Sequence, residues 1–211
     1  MQQPIRKVLY LAGLVSPFWL AVALVITGSL YPGYSHINQA MGVLGAVDSP
    51  THYISPLITN YPLGVLLVLF GVGVAQCSPG NLLARASGLL IVLHGLASVA
   101  AGLFSCDAGC APDTASSAQN LHNLAGLVMA FSLLLASALW IFVARRQGSK
   151  GLVWFSLVCT LFALGCLPWM AAAIDVGRGF GLFQRVNYFA SLIWVAGLAW
   201  ALLQRERMLH V

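Results

Sequence analysis

Polar side chains that could bind a ligand occur at a few points of a very apolar sequence. Each lies beside one end of an apolar run, and they are Ser35, His36, Asp107, His122, Asn123 and Arg185. An ionisable group near lipid is costly unless it is paired or lines a wet cavity, so these residues predict a ligand-binding polar cluster. Within it we expect Asp107 to pair with Arg185, while His122 donates to the same carboxylate and keeps one ring nitrogen free.

His36, Asp107 and His122 could alternatively bind a metal ion. Zinc accepts imidazole nitrogen and carboxylate oxygen, and a catalytic zinc site has three such ligands and one open position. A water bound there would be acidified for hydrolysis of a lipid amide or ester. However, the sequence has no HxxxH or HExxH pair on one helix. It therefore favours no cofactor, with zinc as the alternative.

His94, Cys106 and Cys110 are three further candidates. His94 lies in the middle of the third apolar run, where it could relay protons, contact a ligand, or simply bond to a neighbouring helix as a neutral imidazole. Cys106 and Cys110 are four residues apart, and a turn between them would allow a disulfide in an oxidising compartment. The alternative for the cysteines is two free thiols.

The composition requires that lipid surround these groups. Hydrophobic residues make up 60% of the 211 residues and charged residues 7%, whereas a soluble domain carries about 25% charged residues. The ten Lys and Arg residues are scattered in short pieces between apolar runs. Because nucleic-acid binding requires a basic patch, we expect a lipid bilayer and no nucleic acid as the partner.

Six apolar runs predict the elements that position the polar residues. A membrane-spanning helix needs about 20 apolar residues to cross roughly 30 Å of hydrocarbon. Runs of this kind, free of Lys, Arg, Asp and Glu, cover approximately residues 8–30, 56–76, 86–104, 121–143, 152–174 and 186–203. They lack the alternation of a transmembrane β-barrel. We predict an all-α fold, with residues 1–211 forming one transmembrane domain, a bundle of six helices.

The third run also carries small residues at regular spacing. Gly88, Gly95 and Gly102 follow one another every seven residues, and small residues at such intervals allow helices to approach closely. The pattern predicts a packing seam and a central position for this helix.

The basic residues predict the orientation in the membrane. One side of a six-helix bundle would carry eight of them: Arg6, Lys7, Arg85, Arg145, Arg146, Lys150, Arg205 and Arg207. The other side would carry Arg178 and Arg185. Since cytoplasmic loops are rich in Lys and Arg, we predict cytoplasmic N and C termini in a plasma membrane, with the bacterial inner membrane as the expected location.

Reporter fusions test this orientation directly. A fusion at Gly148 is expected to report the cytoplasm, and a fusion at Ala115 is expected to report the opposite side, because these positions flank the fourth run. The reverse pattern of reporter activity would contradict the predicted orientation.

Several segments resemble an uncharacterised prokaryotic membrane family catalogued as domain of unknown function 998. They are residues 28–36 (GSLYPGYSH), 103–107 (LFSCD), 121–123 (LHN) and 181–185 (GLFQR). The resemblance implies a multi-span helical protein whose recurrent polar positions are Ser35, His36, Asp107, His122 and Arg185. It implies no particular activity. The Ser, His and Asp positions are also loosely similar to those of transmembrane hydrolases of the alkaline-ceramidase type. Those hydrolases have seven spans and a pair of histidines on one late helix, whereas this chain has six apolar runs and lacks that pair.

Three functions follow as hypotheses. The first is binding or transport of a small or amphipathic ligand in a polar pocket that faces outward. The second is a membrane-embedded, metal-dependent hydrolase of lipid-like substrates. The third is an accessory subunit of a membrane complex, with a polar rim that contacts a partner.

Overall fold

The computed structural model describes residues 3–208, and this part of the chain is helical and contains no β-strand. Its α-helices are α1 (Gln3–Ser29), α2 (Ile54–Ile58), α3 (Asn60–Ala75), α4 (Leu82–Leu103), α5 (Ser117–Arg146), α6 (Lys150–Val176) and α7 (Phe180–Met208). Short 3-10 helices cover Met41–Gly45 and Ala108–Cys110. Six helical segments are long and apolar enough to span a membrane, with α2 and α3 counted as one. The predicted all-α bundle of six spans is confirmed.

The six spanning segments form a closed ring in chain order. α1 packs on α3, α3 on α4, α4 on α5, α5 on α6, α6 on α7, and α7 returns to α1. Large side chains fill the inside, among them Phe70, Trp140 and Trp194, each fully buried. α6 is the least buried of the six. The ring therefore has a continuous apolar core, and its outer surface is suited to lipid.

Glycines bring the backbones of α3 and α4 into contact. A Cβ atom on Gly88 would lie 2.6 Å from the Cα of Ala75 and 2.7 Å from the carbonyl oxygen of Gly71. A Cβ on Gly95 would lie 2.5 Å from the oxygen of Gly64. Both positions therefore require glycine. The seam expected from the seven-residue spacing lies between these two helices.

Loops cover one end of the ring, which we call the capped end. It contains residues 30–53, 104–116 and 177–179. The Met41–Gly45 helix folds back onto the bundle, with Val43 and Leu44 buried. The amide of Val47 donates to the carbonyl of Cys106 at 3.0 Å, which joins two of the loops.

The opposite end, which we call the basic end, carries the short connections 76–81 and 147–149 and the described ends of α1 and α7. Arg6 of α1 and Glu206 of α7 form an ion pair there, with 3.2 Å between guanidinium and carboxylate. The Glu206 side chain is 6% exposed and that of Arg6 29%. This pair connects the first and last helices of the ring.

Candidate functional site

Arg185 attaches the first loop of the capped end to α7. One terminal nitrogen of its guanidinium donates to the carbonyls of His36, Gln39 and Gly181 at 2.8–3.0 Å. The other donates to the Tyr34 hydroxyl. Four acceptors thus hold the cation without any carboxylate. Sequence reasoning missed Tyr34, although it lies in the segment that carries the family resemblance.

Two neighbours of Arg185 are affected by its charge and by burial. Burial, and secondarily the Arg185 cation, lower the pKa of His36 below its usual value. Burial raises the pKa of Tyr34 despite the opposing effect of Arg185. Ser35 takes part in the loop itself, because its hydroxyl oxygen accepts from the Asn38 amide at 3.2 Å. This region is a hydrogen-bonded cap, and Arg185 forms no ion pair with a carboxylate of residues 3–208.

Asp107 stabilises the start of α5. Its carboxylate accepts from the Ser116 amide at 2.9 Å and from the Ser116 hydroxyl at 2.6 Å. These hydrogen bonds lower the pKa of Asp107. Its own amide donates to Gln119, whose side-chain amide donates to Asn123 at 2.9 Å. Ser116 is the N-cap of α5, so the Asp107 carboxylate also lies at the favourable end of the helix dipole.

The predicted ion pair between Asp107 and Arg185 is therefore wrong. Within residues 3–208 the single ion pair is the one between Arg6 and Glu206. Asp107 finds two donors on Ser116, nine residues along the chain, and closing so short a loop costs little entropy. Arg185 is already occupied by carbonyl oxygens. The polar residues of the capped end thus separate into distinct groups.

His122 belongs to a third group, together with the two outer cysteines. Its Nδ1 donates to the carbonyls of Ala101 and Phe104 at 3.0 and 2.9 Å. Cys106 and Cys110 are joined in a disulfide, with 5.0 Å between their Cα atoms. Ligand atoms of His122, Cys106 and Cys110 lie within 4.8 Å of one another. The capped end therefore brings together three residues that could ligate metal once the disulfide is reduced.

The alternative zinc set of His36, Asp107 and His122 is not assembled. Among residues 3–208, the group formed by Cys106, Cys110 and His122 is the one set of three metal-ligating side chains that comes together. The His36 ring packs over the Cα of Gly28, and the Asp107 carboxylate binds Ser116. Each of the three side chains instead contacts a different part of the capped end, which keeps them apart.

His94 bonds on both ring nitrogens inside the bundle. Nδ1 lies 2.9 Å from the carbonyl oxygen of Met129, and Nε2 lies 2.8 Å from the Tyr188 hydroxyl. Because a carbonyl can only accept, Nδ1 carries the hydrogen and Nε2 accepts from Tyr188. His94 is 0% exposed. It joins α4 to α5 and α7 as a neutral imidazole and keeps no lone pair free for a ligand.

A cavity of about 700 Å³ opens at the basic end between α3 and α4. We call it the basic cleft. Two arginines lie at its mouth, and apolar side chains of α3 and α4 form its inner wall. Its lining includes Arg6, Asn81, Arg85, Val72, Leu89 and Val92. Sequence reasoning used the arginines only to orient the chain, because nothing in their spacing indicates that they share a cavity.

The model of a family described as "Protein of unknown function (DUF998)" matches residues 14–201. No curated protein and no solved structure matches the chain.

Proposed function

Because this chain belongs to the DUF998 family of proteins of unknown function, we propose its function from the geometry: it is a multi-pass membrane protein that binds an anionic phospholipid in the basic cleft. The observation that carries the proposal is the pairing of two arginines with an apolar wall in one cavity. A phospholipid has the same division between a charged headgroup and an apolar chain.

The mouth of the cleft favours an anion. Arg85 is exposed and has no acidic partner within residues 3–208. Arg6 pairs with Glu206, but its Nε has no hydrogen-bond partner among the described residues. α4 also begins here, with Asn81 as its N-cap, and the positive end of a helix dipole attracts negative charge. The three effects act on the same space.

The inner wall of the cleft favours an acyl chain. Val72 of α3 and Leu89 and Val92 of α4 line it within the membrane-spanning segments. A volume of about 700 Å³ falls in the range of about 300–1,000 Å³ common for ligand sites. A free phosphate has no apolar part that could contact this wall. The combination supports a lipid whose headgroup lies at Arg6 and Arg85.

This proposal retains ligand binding from the sequence-based hypotheses but moves it to the other end. At the capped end, the terminal nitrogens of Arg185, the Asp107 carboxylate and Nδ1 of His122 bond to protein groups, while Nε of Arg185 has no partner among the described residues. Most of these polar atoms are thus not available to line an outward-facing pocket. The hydrolase hypothesis relied on a metal set that is not assembled. The accessory-subunit role stays a hypothesis from the sequence.

The predicted orientation gives the cleft a suitable environment. If the basic end faces the cytoplasm of a bacterium, the cleft opens to the inner leaflet of the plasma membrane. Anionic lipids in that leaflet attract basic residues, each worth about 1 kcal/mol near the surface. Basic pockets between spanning helices on this side are a known form of headgroup site.

Arg85→Gln is expected to weaken binding of phosphatidylglycerol about fivefold, the equivalent of about 1 kcal/mol for one basic residue. The change removes the charge and keeps a polar side chain of similar length. Native mass spectrometry of the purified protein, titrated with phosphatidylglycerol or with phosphatidylcholine of the same acyl chains, measures both affinities. Phosphatidylcholine is expected to bind more weakly to the wild type.

Arg145→Gln is the matched control. Arg145 is also an exposed cation at the basic end, in the last turn of α5, but it does not line the cleft. Inorganic phosphate added in excess distinguishes a lipid from a free anion, since it should not displace the lipid. Equal loss of affinity in both variants, or equal binding of the two lipids, would rule out the proposal.

A further inference from the structure

We infer that Cys106, Cys110 and His122 form a redox-controlled site for a thiophilic metal ion: the dithiol form binds the ion and the disulfide closes the site. The ligand atoms of these three residues lie within 4.8 Å of one another at the capped end. The inference does not depend on the lipid site, which lies at the basic end.

His122 is oriented as metal-binding histidines usually are. Its Nδ1 donates to the carbonyls of Ala101 and Phe104, so the ring is in the tautomer that leaves the Nε2 lone pair free. A ligating histidine commonly donates its other ring N–H to a backbone carbonyl, which fixes its orientation. Nε2 of His122 and Sγ of Cys110 lie near the same point, the position of a Cβ atom on Gly42.

Gly42 leaves space between the imidazole and the sulfur. A Cβ atom at this position would lie 2.9 Å from Nε2 of His122 and 3.4 Å from Sγ of Cys110. The sulfur of Cys106 lies 3.5 Å from the carbonyl oxygen of Gly42. The imidazole and both sulfurs thus lie close to Gly42, where a larger residue would occupy the space beside Nε2.

A tight turn holds the two cysteines together. The amide of Cys110 donates to the carbonyl of Asp107 at 2.8 Å. Gly109 and Cys110 both adopt left-handed backbone conformations, with φ of 64° and 56°. Cys110 is the one non-glycine residue between positions 3 and 208 with positive φ, which is uncommon and often marks a functional site. Hydrogen bonds of the loop therefore support this geometry in addition to the sulfur–sulfur bond.

The ligand set selects the kind of ion. Two thiolates and one imidazole suit zinc or monovalent copper, whereas magnesium and calcium require oxygen ligands. Three protein ligands leave a fourth tetrahedral position open, as in a zinc site that binds water or an exchanging ligand. Cys106 is fully buried, while Cys110 and His122 are half-buried. An ion could therefore enter from the Cys110 side.

Opening of the site is a thiol–disulfide exchange with a dithiol reductant. The bond between Cys106 and Cys110 breaks, and the two electrons and two protons of the dithiol pass to the cysteines, which become thiols. The dithiol becomes a disulfide. Each cysteine thiol then loses its proton as it binds the ion, and His122 contributes its lone pair.

The test is titration of the full-length protein in detergent with Co²⁺, which gives thiolate-to-cobalt absorption, and with Zn²⁺ followed by elemental analysis. A phosphine reductant supplies the two electrons without adding competing thiols. The reduced chain is expected to bind about one ion and the oxidised chain none. His122→Ala is expected to lower the affinity at least about tenfold. Gly42→Ala places a methyl group beside Nε2 of His122 and leaves the sequence of α5 unchanged, and it should also lower the affinity for the ion.

His52→Ala is the matched control. His52 lies at the same end, and its Nδ1 contacts the carbonyls of Gly45 and Ala46 at 3.0 Å, much as that of His122 contacts two carbonyls. The affinity of the reduced His52→Ala variant for Co²⁺ should equal that of the reduced wild type. The inference is overturned if the reduced chain, with Cys106 and Cys110 shown free by mass, binds no ion. It is equally overturned if His122→Ala binds as tightly as His52→Ala.

Discussion

Arg6→Ala is expected to destabilise the protein by about 3 kcal/mol, since it leaves the Glu206 carboxylate buried without its partner. Removal of one partner from a buried pair costs about 3–5 kcal/mol, and the 29% exposure of the Arg6 side chain favours the lower value. For a chain of this size the melting temperature should fall by on the order of 10 °C. Thermal unfolding in detergent measures the change.

Two further variants distinguish loss of the pair from loss of any cation. Lys7→Ala removes the neighbouring charge, which has no acidic partner within residues 3–208, and should leave the melting temperature nearly unchanged. The double variant Arg6→Met and Glu206→Met removes both charges and should recover most of the stability lost in Arg6→Ala. A double variant as unstable as Arg6→Ala would show that the ion pair is not the cause.

Gly88→Ala is expected to cost about 3 kcal/mol, the upper part of the range for overpacking a tight interface. The new methyl group would meet backbone atoms of Ala75 and Gly71, and backbone cannot move aside as a flexible side chain can. α3 and α4 must therefore separate along their seam. The melting temperature of the purified variant, and its yield after extraction from the membrane, should both fall.

Gly126→Ala is the control, because it makes the same substitution at a position where the new methyl group meets no neighbouring atom. Gly126 is exposed on α5, and no described residue would lie within 4 Å of a Cβ atom there. Since alanine is the better helix former, stability should be unchanged or raised by up to about 1 kcal/mol. If both variants lose the same stability, close contact of α3 and α4 is not what requires Gly88.

The fold was predictable because a bilayer limits the choices so strongly. Each apolar run long enough to cross it became a helix, since backbone groups in lipid must bond within their own segment. The first and last residues of the helices were less predictable. α1 begins at Gln3, α5 extends to Arg146 and α7 begins at Phe180, all beyond the predicted apolar limits of 8, 143 and 186. Hydrogen bonding continues a helix into the interface, where hydrophobicity no longer marks its end.

The polar sites were harder to predict because depth in the membrane does not determine partners. Asp107 and Arg185 lie at the same end, yet Asp107 caps α5 through Ser116 and Arg185 binds loop carbonyls. Capping is local and could have been anticipated from the serine before the fourth run. The basic cleft could not, since it depends on how α1 and α4 each pack against α3, and Arg6 and Arg85 are far apart in the chain.

Closure of the ring through α1 and α7 has a consequence for biogenesis. Helices enter the membrane in chain order, so α1 is inserted long before its neighbour α7 is synthesised. Until then Arg6 lacks Glu206, and the face of α1 that α7 will cover is exposed to lipid. α7 must therefore be synthesised before α1 acquires this neighbour. A chain that stops before α7 would lack the helix that closes the ring.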